Sequence, residues 1–476
     1  MNKYLIMVAI LISVLIILPT ISGSISARGE KTPIKHLINI YFENHTFDNF
    51  FGTYPGPLSS TGNSTLADIA RPINLWNDPS ILSSMNPVKT GIFNTPDPIE
   101  GYSAYHTDWN HGAMNNFVNG SGPYSMTYFT QSQVGPLWGL AEEYSMADMY
   151  FSSTISESAP NTMYYLAGYN PLINDYGPPP SIPFSQTIMG ELSAFNISWG
   201  AYIANPSDAP HFSEWAQISG MNEHLGNVHS WDTLVSQIQS GTLPSVSWVY
   251  SQEGNGTDQG PPSSILKGEL WLFYLINTIE ESPIWNSTAI MITWDDCGGY
   301  YDQVAPPVVD GVQLGFRVPF IVVSPFAKEN YVSNTVLSHS SIIAFIDYNW
   351  NIPALNSFVS RVNVPIDMFD FNFTREKMSF DFGSSFPIPG SPIFSVPANA
   401  TSPNLTATFP LSPQYNFSSL PYAKQGSTSF NLSSAGGGVF VSSDVTLMPF
   451  YASPYILLVL TIVAVLILTI VPRRRE

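Results

Sequence analysis

Short apolar runs alternate with longer amphipathic segments through the middle of the chain. Four six-residue runs, at 37–42, 245–250, 289–294 and 318–323, have the length and composition of buried strands. Helix-like segments lie at 266–279 and 340–348. The alternation predicts an α/β domain in which a mainly parallel sheet is covered by helices on both faces.

Two further apolar stretches lie near the chain ends. Lys3, the apolar run 4–18 and the small residues of 22–27 predict a secretory signal, and an uncleaved anchor is the alternative. The stretch 455–471 has no charged side chain and is followed by the basic residues 473–475, which predicts a transmembrane helix. A buried core helix is the alternative there. We expect a single-pass cell-membrane protein with an extracytoplasmic main domain and a cytoplasmic C-terminus.

These boundaries divide the chain into five parts. They are a signal peptide or N-terminal anchor (1–27), the α/β domain (28–380), a Ser/Pro/Thr/Asn-rich stalk (381–453), a transmembrane helix (454–472) and a basic tail (473–476). The alternative for the stalk is a small β-sandwich, because apolar residues follow the glycines at 436–438. Eleven Asn-X-Ser/Thr sequons predict a glycoprotein with an exterior location.

Composition restricts the partners. The formal charge is -19 and only 11% of residues are charged, while 44% are hydrophobic, which excludes a charged disordered polymer. Nucleic acid is not an expected partner, because binding to phosphates requires clustered Lys and Arg. The single cysteine, Cys297, excludes an internal disulfide, and we expect no disulfide-linked partner. A low density of carboxylates also suits a very acidic exterior, where fewer groups change charge on protonation.

Carboxylates follow two of the predicted strands. Glu43 and Asn44 come directly after the first run, and Asp295 and Asp296 come directly after the run at 289–294. Ligands of open α/β sheets bind outside the carboxyl ends of the strands, so these side chains can converge on one cation. Either pair alone fits a solvated turn equally well. The two pairs together, in a chain with few charges, favour a site.

Ser158 lies at the start of a predicted helix that has Pro160 in its first turn and Gly168 beyond its end. A hydroxyl in this position meets the positive end of the helix, which favours an incoming phosphate. The local pattern alone favours the alternative, a serine that only caps the helix.

Eight ordered blocks between residues 34 and 355 resemble the bacterial and archaeal phosphoesterases that comprise phospholipase C and acid phosphatase, relatives of the alkaline phosphatases. The most specific are the opening block 36–56, which contains Glu43-Asn44, and the block 294–302, which contains Trp294-Asp295-Asp296. The others cover 106–117, 147–161, 241–249, 261–269, 315–319 and 338–341. The resemblance implies an alkaline phosphatase-like fold with a mixed, mainly parallel sheet.

The resemblance also implies a mechanism. Ser158 stands where the family has its nucleophile, which accepts the phosphoryl group and is then released by water. A divalent cation is implied at an all-oxygen site, for which Ca²⁺, Mg²⁺ or Mn²⁺ is more suitable than Zn²⁺. The substrate would be a phospholipid or a small phosphomonoester. The implied metal ligands are Glu43, Asn44, Asp295, Asp296 and Ser158, and the implied polar groups around the phosphate are His106, His339 and, more weakly, His211.

The chain departs from the family pattern at three positions. Gln259-Gly260 replaces the usual Glu-His, Gln303 replaces a histidine, and Ser338 replaces an acidic residue before the late histidine. Imidazoles at such positions can bind phosphate or transfer protons. Their loss leaves a second hypothesis open, that of a catalytically weak or inactive surface glycoprotein that uses the same fold for binding or envelope structure.

Overall fold

The computed structural model describes residues 29–54, 88–175, 181–212, 215–251 and 256–378. All of them belong to one unit of the chain, 1–422. The predicted signal, the whole of the predicted stalk, the C-terminal apolar stretch and the basic tail lie outside these residues. Within the described ranges, no helix is both long and apolar enough to cross a membrane.

The described residues build one large sheet of eight strands. Its strands in chain order are β1 (His36–Phe42), β2 (Ser145–Ala147), β3 (Trp199–Ile203), β4 (Val228–Ser230), β5 (Val246–Tyr250), β6 (Thr288–Trp294), β7 (Phe320–Val323) and β8 (Tyr331–Ser333). Their order across the sheet is β8-β2-β7-β6-β1-β5-β3-β4. Only β7 runs antiparallel to its neighbours, β6 and β2, and the other pairings are parallel. The predicted mixed, mainly parallel sheet is confirmed.

Nine α-helices lie in the described residues. They are α1 (Phe47–Phe51), α2 (Tyr102–Trp109), α3 (Phe117–Gly120), α4 (Gln131–Glu143), α5 (Ser158–Ala167), α6 (Ile188–Ala194), α7 (Trp231–Ser240), α8 (Ile265–Glu280) and α9 (His339–Asn349). Helix α5 packs against α6 and α9, while α8 packs against α4 and α7. All residues of β5, β6 and β7 are buried, as is nearly all of β1. Because successive strand side chains point to opposite faces, both faces of the sheet are covered.

Shorter elements complete the described fold. The two-residue strands are Val88–Lys89, Thr127–Tyr128, Tyr150–Phe151, Ile182–Pro183, Ile218–Ser219, Val308–Val309, Val312–Gln313 and Leu337–Ser338. The 3-10 helices are Asn110–Gly112, Pro123–Met126, Phe184–Gln186, Pro206–His211, Met221–Asn227, Trp285–Ser287, Val359–Arg361 and Pro365–Met368.

The apolar runs mark the centre of the sheet closely. The predicted strands correspond to β1, β5, β6 and β7, with ends that differ by at most two residues. The predicted helix segments correspond to α8 and α9, and α5 ends at Gly168, which has the left-handed conformation (φ 67°) that suits glycine. Strand β3 has no such signal, because Gly200 and Ala201 interrupt its apolar run.

Candidate active site

The two predicted pairs, Glu43-Asn44 and Asp295-Asp296, meet at one edge of the sheet. Strands β1 and β6 are parallel neighbours in register, with Phe42 opposite Trp294, so the residues that follow them emerge side by side. The backbone N–H of Asp295 donates to the carbonyl of Phe42 at 2.9 Å. The backbone N–H of Asn44 donates to Asp295 Oδ1 at 2.8 Å. This is the edge at which open α/β sheets bind ligands.

Ser158 is the first residue of α5 and does not cap it. The N-cap is Glu157, so the capping interpretation of Ser158 is wrong. Instead, the Ser158 hydroxyl donates a hydrogen bond to Glu43 Oε2 at 3.2 Å. The backbone N–H of Ala159 donates to Asp175 Oδ1 at 2.8 Å, so a carboxylate of the chain occupies part of the helix start. The structure thus joins the predicted nucleophile to the first carboxylate pair.

Asn44 has an uncommon backbone conformation, and its side chain is bound by Glu100, a residue that sequence patterns did not identify. Its φ is 67°, in the left-handed region that non-glycine residues rarely adopt. Its side-chain Nδ2 donates to Glu100 Oε1 at 2.9 Å. This bond fixes the amide so that Oδ1 is the atom left for a ligand. Because Nδ2 is engaged inside the domain, the sequon at Asn44 offers no accessible glycan attachment point.

Three buried oxygen atoms of the cluster have no hydrogen-bond partner among the described residues. They are Asn44 Oδ1, Asp295 Oδ2 and Asp296 Oδ2. Buried oxygens are normally satisfied, and an all-oxygen set of this kind is suited to a hard divalent cation. No three His, Cys, Asp or Glu side chains of the described ranges form a ready cation cage. The three carboxylates of the predicted set, Glu43, Asp295 and Asp296, therefore do not form such a cage by themselves, and the predicted site also depends on the amide of Asn44 and the hydroxyl of Ser158.

Burial and mutual repulsion shape the electrostatics of this edge. Burial raises the pKa of Asp295, while the neighbouring side chains of Glu43 and Ser158 and the backbone N–H of Asn44 lower it. Burial, followed by the neighbouring Asp295 and Glu100, raises the pKa of Asp296 well above its usual value. Burial and the adjacent Asp97 raise the pKa of Glu100 to about 9. A cation bound among these groups would relieve their repulsion.

His339 lies behind the aspartate pair. Its Nε2 donates to the backbone carbonyl of Asp295 at 2.6 Å, and its Nδ1 accepts from the Tyr150 hydroxyl at 2.9 Å. Burial lowers the pKa of His339 to about 4, so the ring is neutral. Both ring nitrogens are therefore engaged within the protein. The geometry gives His339 a role in positioning Asp295, whereas the sequence predicted a contact to phosphate.

The other two predicted histidines are less closely connected to the cluster. His106 Nδ1 donates to the carbonyl of Tyr102 at 2.8 Å, and the two rings lie 3.9 Å apart on α2. The same helix reaches the aspartates through Tyr105, whose hydroxyl lies 3.5 Å from Asp296 Oδ1. His211 ends a 3-10 helix, and its side chain lies outside the described structure.

The departures from the family pattern lie at and near the site. A Cβ added to Gly260 would lie 3.1 Å from Glu43 Cβ and 3.4 Å from Asn44 Nδ2, so a side chain here would border two of the predicted metal ligands. The neighbouring Gln259 has a structural role, since its Oε1 accepts from Trp294 Nε1 at 3.0 Å. Ser338 caps α9 in a reciprocal hydrogen-bonded pair with Ser341.

Beneath the site, a fully buried arginine joins two carboxylates. Arg317 Nε lies 2.8 Å from Asp302 Oδ1, and Arg317 Nη2 lies 2.9 Å from Asp48 Oδ1. Gln303 joins this cluster through its Nε2, which donates to Asp48 Oδ1 at 3.2 Å. The residue that replaces the family's histidine therefore belongs to a structural network in this chain. This network links the loop after β1 to the loop after β6.

Gly298 closes the loop that carries the aspartate pair. Its φ is 54°, and a Cβ there would lie 2.4 Å from the carbonyl oxygen of Asn44. Its backbone N–H donates to Asp296 Oδ1 at 2.7 Å. Glycine is required here for both conformation and space.

Comparison with known proteins identifies phospholipases C as relatives of the chain. The chain is 26% identical over 439 residues to phospholipase C A of Mycobacterium tuberculosis, with 78% of this chain and 83% of that protein covered. It is 24% identical over 376 residues to non-specific phospholipase C6 of Arabidopsis thaliana, with 68% and 69% covered. Among solved structures, an alkaline phosphatase superfamily protein from Vibrio parahaemolyticus overlaps with a TM-score of 0.32 at 11% identity, covering 61% of this chain and 76% of that chain. An overlap this partial says nothing about activity.

A family model matches about two thirds of the chain. Residues 34–353, which include Glu43, Asn44, Ser158, Asp295 and Asp296, match the model of the phosphoesterase family. This match covers the sheet edge and all of the residues gathered there. The chain therefore belongs to the phosphoesterase family, and it is a hydrolase that acts on phosphoric ester bonds.

Proposed function

We propose that the chain is an extracytoplasmic, membrane-anchored, metal-dependent phosphoesterase that works through a phosphoseryl intermediate on Ser158. The observation that carries the proposal is the 3.2 Å hydrogen bond from the Ser158 hydroxyl to Glu43, beside the unpartnered buried oxygens of Asn44, Asp295 and Asp296. This arrangement supports the proposal, because a nucleophile, an acceptor for its proton and an anionic cation site would then belong to one cluster.

The residues divide the chemistry between them. Glu43 accepts the hydrogen bond of Ser158 and thereby directs the serine oxygen's lone pairs away from itself. In the first step a bond forms between Ser158 Oγ and phosphorus, while the ester P–O bond breaks and the alcohol leaves with a proton. Water then attacks the phosphoserine, which releases inorganic phosphate or a phosphomonoester and returns the proton to Ser158.

Asn44, Asp295 and Asp296, together with Glu43 and Ser158, would hold the cation. A divalent cation at this position offsets phosphate charge and favours the deprotonated hydroxyl. His339 contributes by fixing the backbone of Asp295, and Glu100 contributes by orienting the Asn44 amide. The oxygen donors favour Ca²⁺, Mg²⁺ or Mn²⁺ over Zn²⁺.

The names of the relatives suggest a phospholipid substrate, and small phosphomonoesters are the other class. The extracytoplasmic, single-pass arrangement rests on the sequence at 4–18 and 455–475. Both substrate classes leave the role of Ser158 unchanged, since each presents a phosphoric ester to the same hydroxyl.

The purified full-length chain tests the proposal with p-nitrophenyl phosphate and phosphatidylcholine, each assayed with Ca²⁺, Mg²⁺, Mn²⁺ or chelator. We expect Ser158→Ala and chelator each to lower the rate at least about a thousandfold. Ser340→Ala is the matched control, because its hydroxyl donates to the Tyr164 carbonyl on the far side of α5. Turnover that survives Ser158→Ala would refute the phosphoseryl mechanism, and no turnover with any metal would favour the inactive-glycoprotein hypothesis.

A further inference from the structure

Large apolar side chains that face solvent are concentrated around the entrance to the candidate active site. Of ten such side chains in the described residues, four surround this entrance, and we call them the apolar rim: Ile99, Tyr102, Tyr124 and Ile173. Ile173, at 66%, and Ile99, at 62%, are the two most exposed of the ten. Contiguous exposed apolar side chains of this kind mark interaction surfaces.

One side of the apolar rim is joined to the site through Glu100. Ile99 directly precedes Glu100, whose carboxylate accepts from Asn44. The backbone of Gly122 lies beside the Ile99 side chain, with the Gly122 Cβ position 3.9 Å from Ile99 Cδ1, and Tyr124 follows two residues later. Tyr102 lies on the first turn of α2, directly after this segment.

The other side is joined to the site through the start of α5. The carbonyl of Ile173 accepts from the hydroxyl of Ser156, two residues before Ser158, at 2.5 Å. Two residues after Ile173, Asp175 accepts from Ala159 N–H, and its own N–H donates to Glu157 Oε2 at 3.1 Å. The Cβ position of Gly101 lies 3.4 Å from Glu157 Oε1, so the segments that carry the two sides of the rim meet at this point.

The side chains just inside the apolar rim are acidic. Glu157 and Asp175 lie between the rim and the predicted metal ligands, as does Glu100, whose raised pKa of about 9 leaves it uncharged at neutral pH. The backbone N–H of Asp175 donates to Glu157 Oε2 at 3.1 Å, so these two carboxyl groups lie close together. Such an entrance repels an anionic surface and favours a substrate that carries a cationic group beside its phosphate.

We propose that the apolar rim docks on the surface of a zwitterionic phospholipid bilayer. Ile99 and Ile173 enter the boundary between headgroups and acyl chains, Tyr102 and Tyr124 lie at headgroup level, and Glu157 and Asp175 face the ammonium end of the headgroup. This inference rests on the proposed function and names the substrate class. A freely soluble phosphomonoester does not account for two isoleucines exposed at the entrance.

Fluorescent labelling of the full-length chain, reconstituted in phosphatidylcholine vesicles, tests which face contacts lipid. The chain has one cysteine, Cys297, and it is buried, so an introduced cysteine takes the label selectively. We expect an environment-sensitive dye to shift to the blue at Ile99→Cys and at Ile173→Cys. Phe373→Cys is the matched control, since Phe373 is 58% exposed and lies near the opposite edge of the sheet. No shift at 99 and 173, or an equal shift at 373, would overturn the proposal.

Kinetics give a second and independent measurement. The double variant Ile99→Ser/Ile173→Ser should lose about tenfold more activity on vesicle phosphatidylcholine than on p-nitrophenyl phosphate, because only the former requires burial of these side chains. Phe373→Ser should change the two rates equally. Equal losses on both substrates in the double variant, or tighter binding to phosphatidylglycerol than to phosphatidylcholine vesicles, would contradict the proposal. Failure of the parent chain to hydrolyse either ester would refute the proposed function alone, because the dye still reports docking.

Discussion

The buried arginine beneath the site offers the sharpest test of how the fold is stabilised. Arg317 is fully buried and binds Asp302 at 2.8 Å and Asp48 at 2.9 Å. It also donates to the carbonyl of Asp148 at 3.1 Å. Arg317→Met keeps an unbranched apolar chain in place of the arginine stem and removes the guanidinium. Asp48 and Asp302 are then left without their cation in the interior.

Breaking a buried ion pair by removing one partner costs about 3–5 kcal/mol. The matched control is Arg361→Met, whose Nε lies 2.7 Å from Asp310 but whose side chain is 54% exposed. Exposed ion pairs contribute about 0–1 kcal/mol, so the two arginines should differ severalfold in effect although their ion-pair distances are nearly equal. The difference isolates burial from contact distance.

Urea unfolding followed by tryptophan fluorescence, with midpoint and slope fitted separately, measures both losses. Burial, with repulsion from Asp302, raises the pKa of Asp48 to about 8 against the opposing effect of Arg317, and removal of the arginine raises it further. Below about pH 8 this carboxyl is therefore protonated with or without the arginine, and the loss in Arg317→Met should not depend on its titration there. Above about pH 8 the loss should grow, because the parent tolerates the ionised carboxylate better than the variant does. A loss below about 1 kcal/mol at neutral pH, or one that grows on acidification, would contradict this reasoning.

Three further changes test other parts of the structure. Gly298→Ala should abolish hydrolysis and cost about 2–4 kcal/mol of stability, because its Cβ would lie 2.4 Å from the Asn44 carbonyl oxygen. The control is Gly226→Ala, where the added Cβ meets nothing within 4 Å. Glu100→Ala should weaken Mn²⁺ binding about tenfold in a calorimetric titration. Glu100→Gln keeps an acceptor for the Asn44 amide and should weaken the binding less. Equal effects of the two substitutions would exclude a positioning role for Glu100. Burial raises the pKa of Glu280 from 4.5 to about 7, although Tyr144 donates a hydrogen bond to it. The stability that this carboxyl contributes is therefore fully present below about pH 4.5 and is lost as pH rises through 7. Relative to the parent, Glu280→Gln should therefore gain about 3 kcal/mol of unfolding free energy between about pH 4 and pH 8, and a pH-independent difference would refute the assignment.

The sequence was most informative where burial is complete. Strands β1 and β6 are mostly apolar and almost wholly buried, and each stops at a carboxylate, so their run lengths predicted both the strands and the site residues after them. The same reasoning placed Ser158 at the start of α5 but left open whether it only capped that helix. The hydrogen bond to Glu43 required the tertiary structure, because 115 residues separate the two side chains.

Other parts of the site had no local signal. Glu100 lies 56 residues from Asn44 in a segment without regular structure, and nothing in its neighbours distinguishes it from a surface carboxylate. His339 belongs to a recognisable block, but its role depends on Tyr150 and on the Asp295 carbonyl, which lie on other elements. Sequence reasoning identified the residue types at the site better than their orientations, because each orientation depends on partners far away in the chain.

The described ends of the chain and Ser158 lie at opposite edges of the sheet. The hydroxyl of Ser324, just after β7, donates to the carbonyl of Thr288, the first residue of β6, at the edge opposite Asp295. The last described residue, Met378, donates its N–H to Glu280 at the far end of α8. The first described residues reach the same side, where Lys31 N–H donates to Asn349. Both ends of the described domain thus lie at one pole while Ser158 lies at the other, so a fusion partner joined directly at either described end is attached on the side away from Ser158.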